Sequence, residues 1–381
     1  MIADVVPRRG RDDADLSFER RFRVERIAAQ IDQLVRVHAA SLGHRSGLGF
    51  PMMPRRVVNL ALLVVVPSLV ATGLLAWIAS PPIADALVVL HRIAGVALVL
   101  ALAWKYGIAR RSVRRRTRAG VDLTLAVGAL ASLALLVVLG LGLAWSIGIV
   151  SFDRPLAYSL LNVHVFVGVA LVPLMVAHAA GRWESRPALA DLGRRRVVVR
   201  ALAVGVGAVV ATAALDRVGL ARRATGSRAA AALSANDFPL TIWAFDAVPT
   251  IDLATWRLRV DGSVASPGSI DYGELLALPS TERDAVLDCT GGWWTEQRWR
   301  GVTLAHLLDR HAVRASAQRI DIVSLTGHAW SFPITEADRL LIATHVGGET
   351  IGAGHGYPAR LVAPDHRGFQ WIKWVSRVRV A

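Results

Sequence analysis

The 381-residue chain has one cysteine, Cys289. That excludes an intrachain disulfide, a CxxC redox pair and any zinc site assembled from several cysteines. Lysine is nearly as scarce: Lys105 and Lys373 interrupt an otherwise all-arginine set of 44 basic residues. Each lysine therefore looks chosen, because a compact ammonium and a planar guanidinium hold different partners. Acidic residues number 29, leaving a formal charge of +15. This excess does not point to nucleic acid, since the arginines gather at the ends of apolar runs rather than on one soluble face. What the chain has in plenty is apolar side chains, 54% of the total, too many for an ordinary soluble protein. A membrane portion is the first expectation.

Residues 1–54 lack a long apolar run and read as a basic cytoplasmic tail. Five apolar runs follow, at 57–79, 84–108, 121–149, 156–180 and 197–215, most of them near the ~20 residues that cross a bilayer as helix. They predict an all-α transmembrane bundle over 55–217. Arginine collects at Arg55 and Arg56, at Arg110, Arg111, Arg114, Arg115, Arg116 and Arg118, and at Arg194, Arg195, Arg196 and Arg200. The connections SPPIAD and SFDRP are nearly bare of it. Positive-inside bias then places the tail in the cytoplasm and, after an odd number of spans, the rest outside a cytoplasmic-type membrane. An Ala-, Arg- and Ser-rich stretch, 218–237, reads as a linker. From 238 to 381 the pattern changes to short alternating segments such as TWRLRVDG, DAVLDC and RIDIVSL, which predict a mixed α+β domain large enough for its own core.

His91, His164 and His178 fall inside apolar runs, where an ionisable side chain is costly without a partner. His91 lies early in the second span and His164 early in the fourth, so both imidazoles fall at similar depth near the outer face. That is the arrangement for two axial ligands on one haem. His164 and His178 are 14 residues apart, roughly 21 Å along a helix and close to four turns, so they share a face at opposite depths. The position 14 beyond His91 is Lys105 rather than histidine. A lysine snorkelling from a helix end accounts for it better than an iron ligand. This region resembles the cytochrome b561-like membrane families and departs from their two-haem version at Lys105. The resemblance implies one outer b-type haem on His91 and His164, and leaves a second, on His178, open.

Cys289 sits in AVLDCTGGWW, where a strand pattern gives way to a Gly-rich turn. Taken locally, a lone cysteine is more often an inert buried residue. The C-terminal run GHGYPARLVAPDHRGFQWIKWVSRVRV, however, resembles the pterin-binding signature of the sulfite oxidase family, and TWRLRVDGSVASPGSIDYGELLALP resembles the family's entry into its fold. The resemblance covers about 238–381. It implies a molybdenum-molybdopterin cofactor with Cys289 as the thiolate ligand, a soft donor suited to that metal. It also implies cofactor contacts at His355, Arg360 and Lys373, a close approach at Gly368, and a polar contact at Ser324 or Thr326.

Sulfite oxidases follow their cysteine with an Asn- and Arg-rich segment, where this chain has Thr290, Gly291, Gly292, Trp293 and Trp294. A less charged substrate is therefore expected, lined by Trp293, Trp294 or Trp299, with Arg298 and Arg300 as nearby charges. The chain ends just after the pterin-binding segment, without the family's dimerisation domain, which is closer to bacterial periplasmic methionine-sulfoxide-reductase catalytic subunits. Arg194, Arg195 and Arg196, ahead of the fifth span, resemble an internal twin-arginine export signal. The expectation is a membrane-bound molybdoenzyme that exchanges an oxygen atom with a small oxo-acceptor or oxo-donor and relays electrons through haem to or from the quinone pool. A molybdoenzyme on a haem-free anchor, and a non-catalytic pterin- or partner-binding module, are the alternatives.

Overall fold

The computed structural model describes residues 53–117, 122–149, 158–180, 195–218, 222–230, 235–242 and 247–381. Nearly all of the expected tail lies outside the described residues, as do Arg118 and Arg194. Five helices come first: α1 (Arg55–Ile78), α2 (Ile83–Thr117), α3 (Leu123–Ser146), α4 (Leu160–Ala180) and α5 (Arg195–Val218). Each matches one expected span, and each is long and apolar enough to cross a membrane. Large side chains such as Leu63, Leu133, Leu136, Val206 and Val210 remain exposed on them. Water would penalise such a surface, whereas hydrocarbon solvates it. Helix α2 runs beyond its apolar stretch because arginine is a good helix former and continues the turn to Thr117. Asp122 caps α3 by accepting from the Leu125 amide at 2.6 Å.

Helix α1 packs along α2 and α3 along α4, giving two hairpins, with α5 against α2. Between the hairpins the helices touch only sparsely. The arginine-rich ends of α1, α2 and α5 all lie at the end of the bundle remote from the α1–α2 connection.

The remainder forms two sheets and two short helices. The strands are β1 (Arg228–Ala229), β2 (Leu258–Gly262), β3 (Gly268–Ile270), β4 (Thr281–Asp288), β5 (Trp293–Thr303), β6 (Arg319–Ser324), β7 (Ala329–Pro333), β8 (Leu341–Val346), β9 (Glu349–Thr350), β10 (Arg360–Val362) and β11 (Val375–Val380). One sheet runs β1–β5–β8–β10, with β4 on β5 and β9 on β8; the other runs β3–β2–β11–β6–β7. Alternation sets which side faces in: β2 buries Leu258 and Val260, and β6 buries Ile320, Ile322 and Ser324. These residues join Trp299, Phe332, Leu341, Leu361 and Val378 in a single core. Helix α6 (Tyr272–Ala277) opens on a capping box between Asp271 and Glu274, and α7 (Leu304–Asp309) on Thr303. The architecture is a membrane helix bundle followed by a mixed α+β domain, as the sequence pattern predicts.

The expected linker differs. Where it is described it belongs to the folded domain, since Arg228 and Ala229 form β1, parallel to Trp293 and Trp294 of β5. Its Ala- and Arg-rich composition conceals this because a two-residue strand held by main-chain bonds leaves no side-chain pattern. The same segment ties the domain to the bundle: Arg228 donates to the carbonyls of Trp145 at 2.6 Å and Ser146 at 3.0 Å, neutralising the C-terminal end of α3.

Gly301 lies at the irregularity where β5 shifts register against β8. A Cβ there would stand 2.0 Å from the Ile342 carbonyl oxygen and 2.5 Å from Ala343 Cα, so main chain would have to separate. Gly301→Ala is expected to destabilise the soluble domain by at least ~1–3 kcal/mol. An unchanged thermal midpoint of the purified variant would contradict that packing.

Candidate active site

Strands β4 and β5 form a hairpin whose turn is Cys289–Thr290–Gly291–Gly292. The Cys289 amide donates to the Trp293 carbonyl at 2.8 Å and the Gly292 amide to the Cys289 carbonyl at 3.0 Å, which closes the turn. Gly292 has φ +84, a conformation L side chains rarely adopt. Cys289 is buried, and its Sγ accepts from the Gly291 amide at 3.3 Å. The expected strand-to-turn placement of the cysteine is what the structure has.

The residue before it anchors the turn. Asp288 is a buried carboxylate that accepts from four donors: Arg367 at 2.5 Å, Ser227 at 2.6 Å, Thr225 at 2.7 Å and Arg223 at 3.1 Å. Arg367 and Asp288 also form an isolated parallel bridge. Gly368, next in the chain, packs so closely that an added Cβ would lie 2.8 Å from Cys289 Cα. The close approach expected of Gly368 toward a cofactor is thus, in the structure, an approach to the cysteine backbone. Nothing in the local sequence around Asp288 singled it out, because its partners come from segments more than 60 residues away on either side.

Sγ faces a cavity of about 280 Å³ whose wall includes Cys289, Ser324, Thr326, His355, Arg360, Gly368 and Lys373. Every cofactor-contact residue expected from the sequence is therefore brought to one place. Ser324 and Thr326 share the β6–β7 turn, with their hydroxyls 3.2 Å apart. Beside them in the wall stands His328, which the sequence reading missed; its Nε2 donates to the Phe369 carbonyl at 2.7 Å. Also missed was the segment at 236–241. Asn236 accepts from the Gly352 amide at 2.6 Å, Phe238 stacks on His355 with centroids 4.0 Å apart, and Thr241 accepts from the Trp293 indole at 3.0 Å.

The electrostatics of the wall are one-sided, with no carboxylate among the described lining residues. Arg360 is fully enclosed, stacked between Trp299 at 5.5 Å and Trp371 at 5.9 Å. It donates to the His355 carbonyl at 2.7 Å, while its Nε is buried without an acceptor among the described residues. Burial lowers its pKa to about 10, against the opposing pull of Cys289. Lys373 reaches in from the other side, donating to the carbonyls of Gly354 at 2.8 Å and Thr241 at 3.0 Å. His355 is not a third cation. Burial, then Arg360 and Lys373, push its pKa down to about 3, and its Nε2–H donates to the Asn236 carbonyl at 2.9 Å. A buried guanidinium with a spare donor and an ammonium, in a wall with no carboxylate among its described lining residues, together make a site for an anionic group.

Of the tryptophans expected near the cysteine, Trp293 alone lines the cavity. Trp299 is in the core and Trp294 lies under Arg223 at 5.7 Å. Nor do the nearby arginines supply charge as expected: Arg298 pairs with Asp284 at 2.8 Å on the surface, and neither it nor Arg300 lines the cavity. The rest of the wall comes from the membrane helices and the short segment before α4, as Trp77, Tyr158, Asn162 and Phe166.

Deeper in the bundle, His91 of α2 and His164 of α4 face each other with ring centroids 6.0 Å apart and planes at 88°. Each Nδ1–H donates to a main-chain carbonyl, His91 to Leu69 at 3.0 Å and His164 to Val138 at 2.9 Å. Each ring lies against a glycine: a Cβ on Gly73 would be 2.9 Å from His91 Cε1, and one on Gly142 3.1 Å from His164 Cε1. His178 is seated likewise against Gly128. Lys105 donates to Asn59 on α1 at 2.9 Å, the bond of a membrane lysine with a polar neighbour rather than of a metal ligand.

Comparison with known proteins finds similarity over the same C-terminal part of the chain. Residues 245–381 match the family model described as the oxidoreductase molybdopterin binding domain. The chain is 30% identical over 151 residues to the catalytic subunit of a protein-methionine-sulfoxide reductase from Xanthomonas axonopodis pv. citri, covering 35% of this chain and 47% of that one. It is 32% identical over 147 residues to the corresponding subunit from Gluconobacter oxydans, covering 33% and 46%. The chain spans about half the length of these relatives. Among solved structures, the sulfane dehydrogenase SoxCD from Paracoccus pantotrophus is 27% identical, covering 35% of this chain and 40% of that one, with a TM-score of 0.34.

Two outcomes are expected. Asp288→Ala strands the Arg367 charge in the interior and should cost about 3–5 kcal/mol, read as a fall in the thermal midpoint; a loss below 1 kcal/mol, or none, would contradict the anchor. For His355, the folded pKa lies below the unfolded value, so the unfolded chain binds the proton first. Stability of the cofactor-free protein should be complete above pH 6.5 and fall as pH drops from 6.5 toward about 3. His355→Gln should flatten that part of the profile, and an equal slope in both proteins would rule His355 out as its source.

Proposed function

We propose that this chain, whose residues 245–381 are a molybdopterin-binding oxidoreductase domain, is a membrane enzyme that removes an oxygen atom from a small, weakly charged oxo-donor of the sulfoxide type, with electrons drawn from quinol through a b-type haem. The observation that carries the reading is the cavity in which the Cys289 thiol meets the buried Arg360 and Lys373, with no carboxylate among the described lining residues.

The residues fit the cofactor on structural grounds. Cys289 Sγ is the one thiol, the Arg360 Nε has a spare donor, and the aromatic wall accepts a flat heterocycle. Molybdenum-pterin, when bound, supplies the oxygen-atom exchange and the two-electron change. The chain's own part is to ligate through Cys289, to hold the cofactor phosphate with Arg360 and Lys373, and to keep the neutral His355 Nδ1 as an acceptor toward the cavity. Ser324, Thr326 and His328 supply polar contacts on the opposite wall. The rings of Trp293, Trp371 and Trp374 exclude water. Because Arg360 and Lys373 are committed to the cofactor, little charge remains for an oxyanion substrate. The matched methionine-sulfoxide-reductase subunits favour a sulfoxide and the reductive direction. The reaction balances as sulfoxide plus two electrons and two protons giving sulfide and water, with quinol giving quinone, two protons and two electrons.

The histidine pair fits haem. Two imidazoles on one iron, each bonded at ~2 Å through Nε2, stand with centroids roughly 6 Å apart. A backbone carbonyl on Nδ1 fixes the tautomer that such ligation needs. Few contacts join the two hairpins that carry the pair. The arginine-rich helix ends, remote from the soluble domain, support a cytoplasmic N-terminus and an extracytoplasmic active site. A second haem on His178 has less support, since Lys105 is bonded to Asn59.

Metal analysis and optical spectroscopy of the purified full-length protein test the reading. Wild type should carry stoichiometric molybdenum and a reduced b-type spectrum. Cys289→Ser should abolish sulfoxide turnover with reduced dye while retaining the haem spectrum, whereas His91→Ala or His164→Ala should remove that spectrum. Wild type purified from haem- and molybdate-replete cells with neither group would refute the proposal.

A further inference from the structure

We infer that Trp77 and Trp145 form a clamp that seats the Cys289 turn on the membrane bundle and makes the contact between the molybdenum-ligand loop and the haem-ligand histidines; the electron-transfer half of this inference rests on the haem reading above. On α1, Gly73 seats His91, and Trp77, one turn further out, donates its indole N–H to the Thr290 carbonyl at 2.8 Å. On α3, Gly142 seats His164, and Trp145, again about one turn further out, lies against the other flank of the same turn. A Cβ on Gly292 would meet Trp145 Cζ2 at 2.7 Å and Leu161 Cδ2 at 2.8 Å.

The two hairpins thus repeat one device. Leu69 and Gly73 hold His91, and the segment GLLAW ends in Trp77; Val138 and Gly142 hold His164, and GLAW ends in Trp145. The glycine lets the ring lie on the helix backbone, and the carbonyl four residues before it receives Nδ1–H. The tryptophan then projects from the helix end to the residues directly following the cysteine. Trp145 is itself held, with its N–H on the Gly226 carbonyl at 3.2 Å and Arg228 over its ring at 5.8 Å. Simple packing would not demand an indole N–H aimed at Thr290, nor a tryptophan three or four residues beyond the histidine-seating glycine in both hairpins.

One connection from Sγ to a haem-ligand histidine runs along the Cys289–Thr290 main chain, over one hydrogen bond to Trp77, and down one turn of α1 to the glycine under His91. Two single electrons cross it per sulfoxide, matching the two that one quinol releases, and the two protons are taken up at the substrate as water forms. Trp77 and Trp145 are positioning residues in this scheme.

The single cysteine makes a clean test. In full-length protein produced without the molybdenum cofactor, alkylation of Cys289 by iodoacetamide should be about tenfold faster in Trp77→Phe, the effect of one lost hydrogen bond, and faster still in Trp77→Phe/Trp145→Phe. Gly292→Ala, which pushes the same clamp open from the loop side, should also speed labelling and covers the case in which the tryptophan variants fail to fold. In loaded protein, sulfoxide-driven oxidation of reduced haem, divided by dye-coupled turnover of the same variant, should fall about tenfold in Trp77→Phe. Wild-type labelling rates in the variants would overturn the clamp, and an unchanged ratio in haem-containing protein would overturn the electron contact. Wild type without haem would sink the haem reading instead, and the labelling result would still decide the clamp.

Discussion

The arrangement of the site depends on one buried carboxylate. Asp288 ends strand β4 directly before the cysteine and gathers donors from the segment that follows helix α5 and from the loop before Gly368. Its charge is tolerable in the interior only because two guanidinium groups and two hydroxyls surround it. Holding those groups fixes the height of Cys289 above the cavity floor and draws Gly368 against its backbone. Were the carboxylate unsatisfied, three segments distant in sequence would lose their common point of attachment.

The opposite side of the cavity obeys a different constraint. Arg360 and Lys373 share a wall with no carboxylate among its described lining residues, and burial, reinforced by these two cations, keeps His355 neutral. Such a wall favours an anionic group. Positive charge is thereby concentrated in the same cavity that Cys289 lines.

Bundle and domain meet through directed bonds rather than an apolar seam. Arg228 neutralises the end of α3, Trp77 reaches the Thr290 carbonyl, and Trp145 fills the space beside Gly292. Membrane helices therefore form part of the cavity wall, and the histidine pair lies within the same hairpins that present these tryptophans.

The five spans, the change to a two-sheet domain and the cluster around Cys289 were legible in the chain because each rests on composition or on a short contiguous pattern. Apolar length, alternation and HGYPAR are local properties. What only the tertiary structure decided is which distant groups share a charge or a contact. Residues 222–230 became part of the domain instead of a linker, Arg298 was spent on Asp284 at the surface, and Trp299 went to the core while Trp293 reached the cavity. The partners of Asp288 and the seating of His91 on Gly73 belong to the same class. Hydrogen bonds and close approaches between segments tens of residues apart leave no periodicity to read, and they determine how the lone cysteine is held and what it faces.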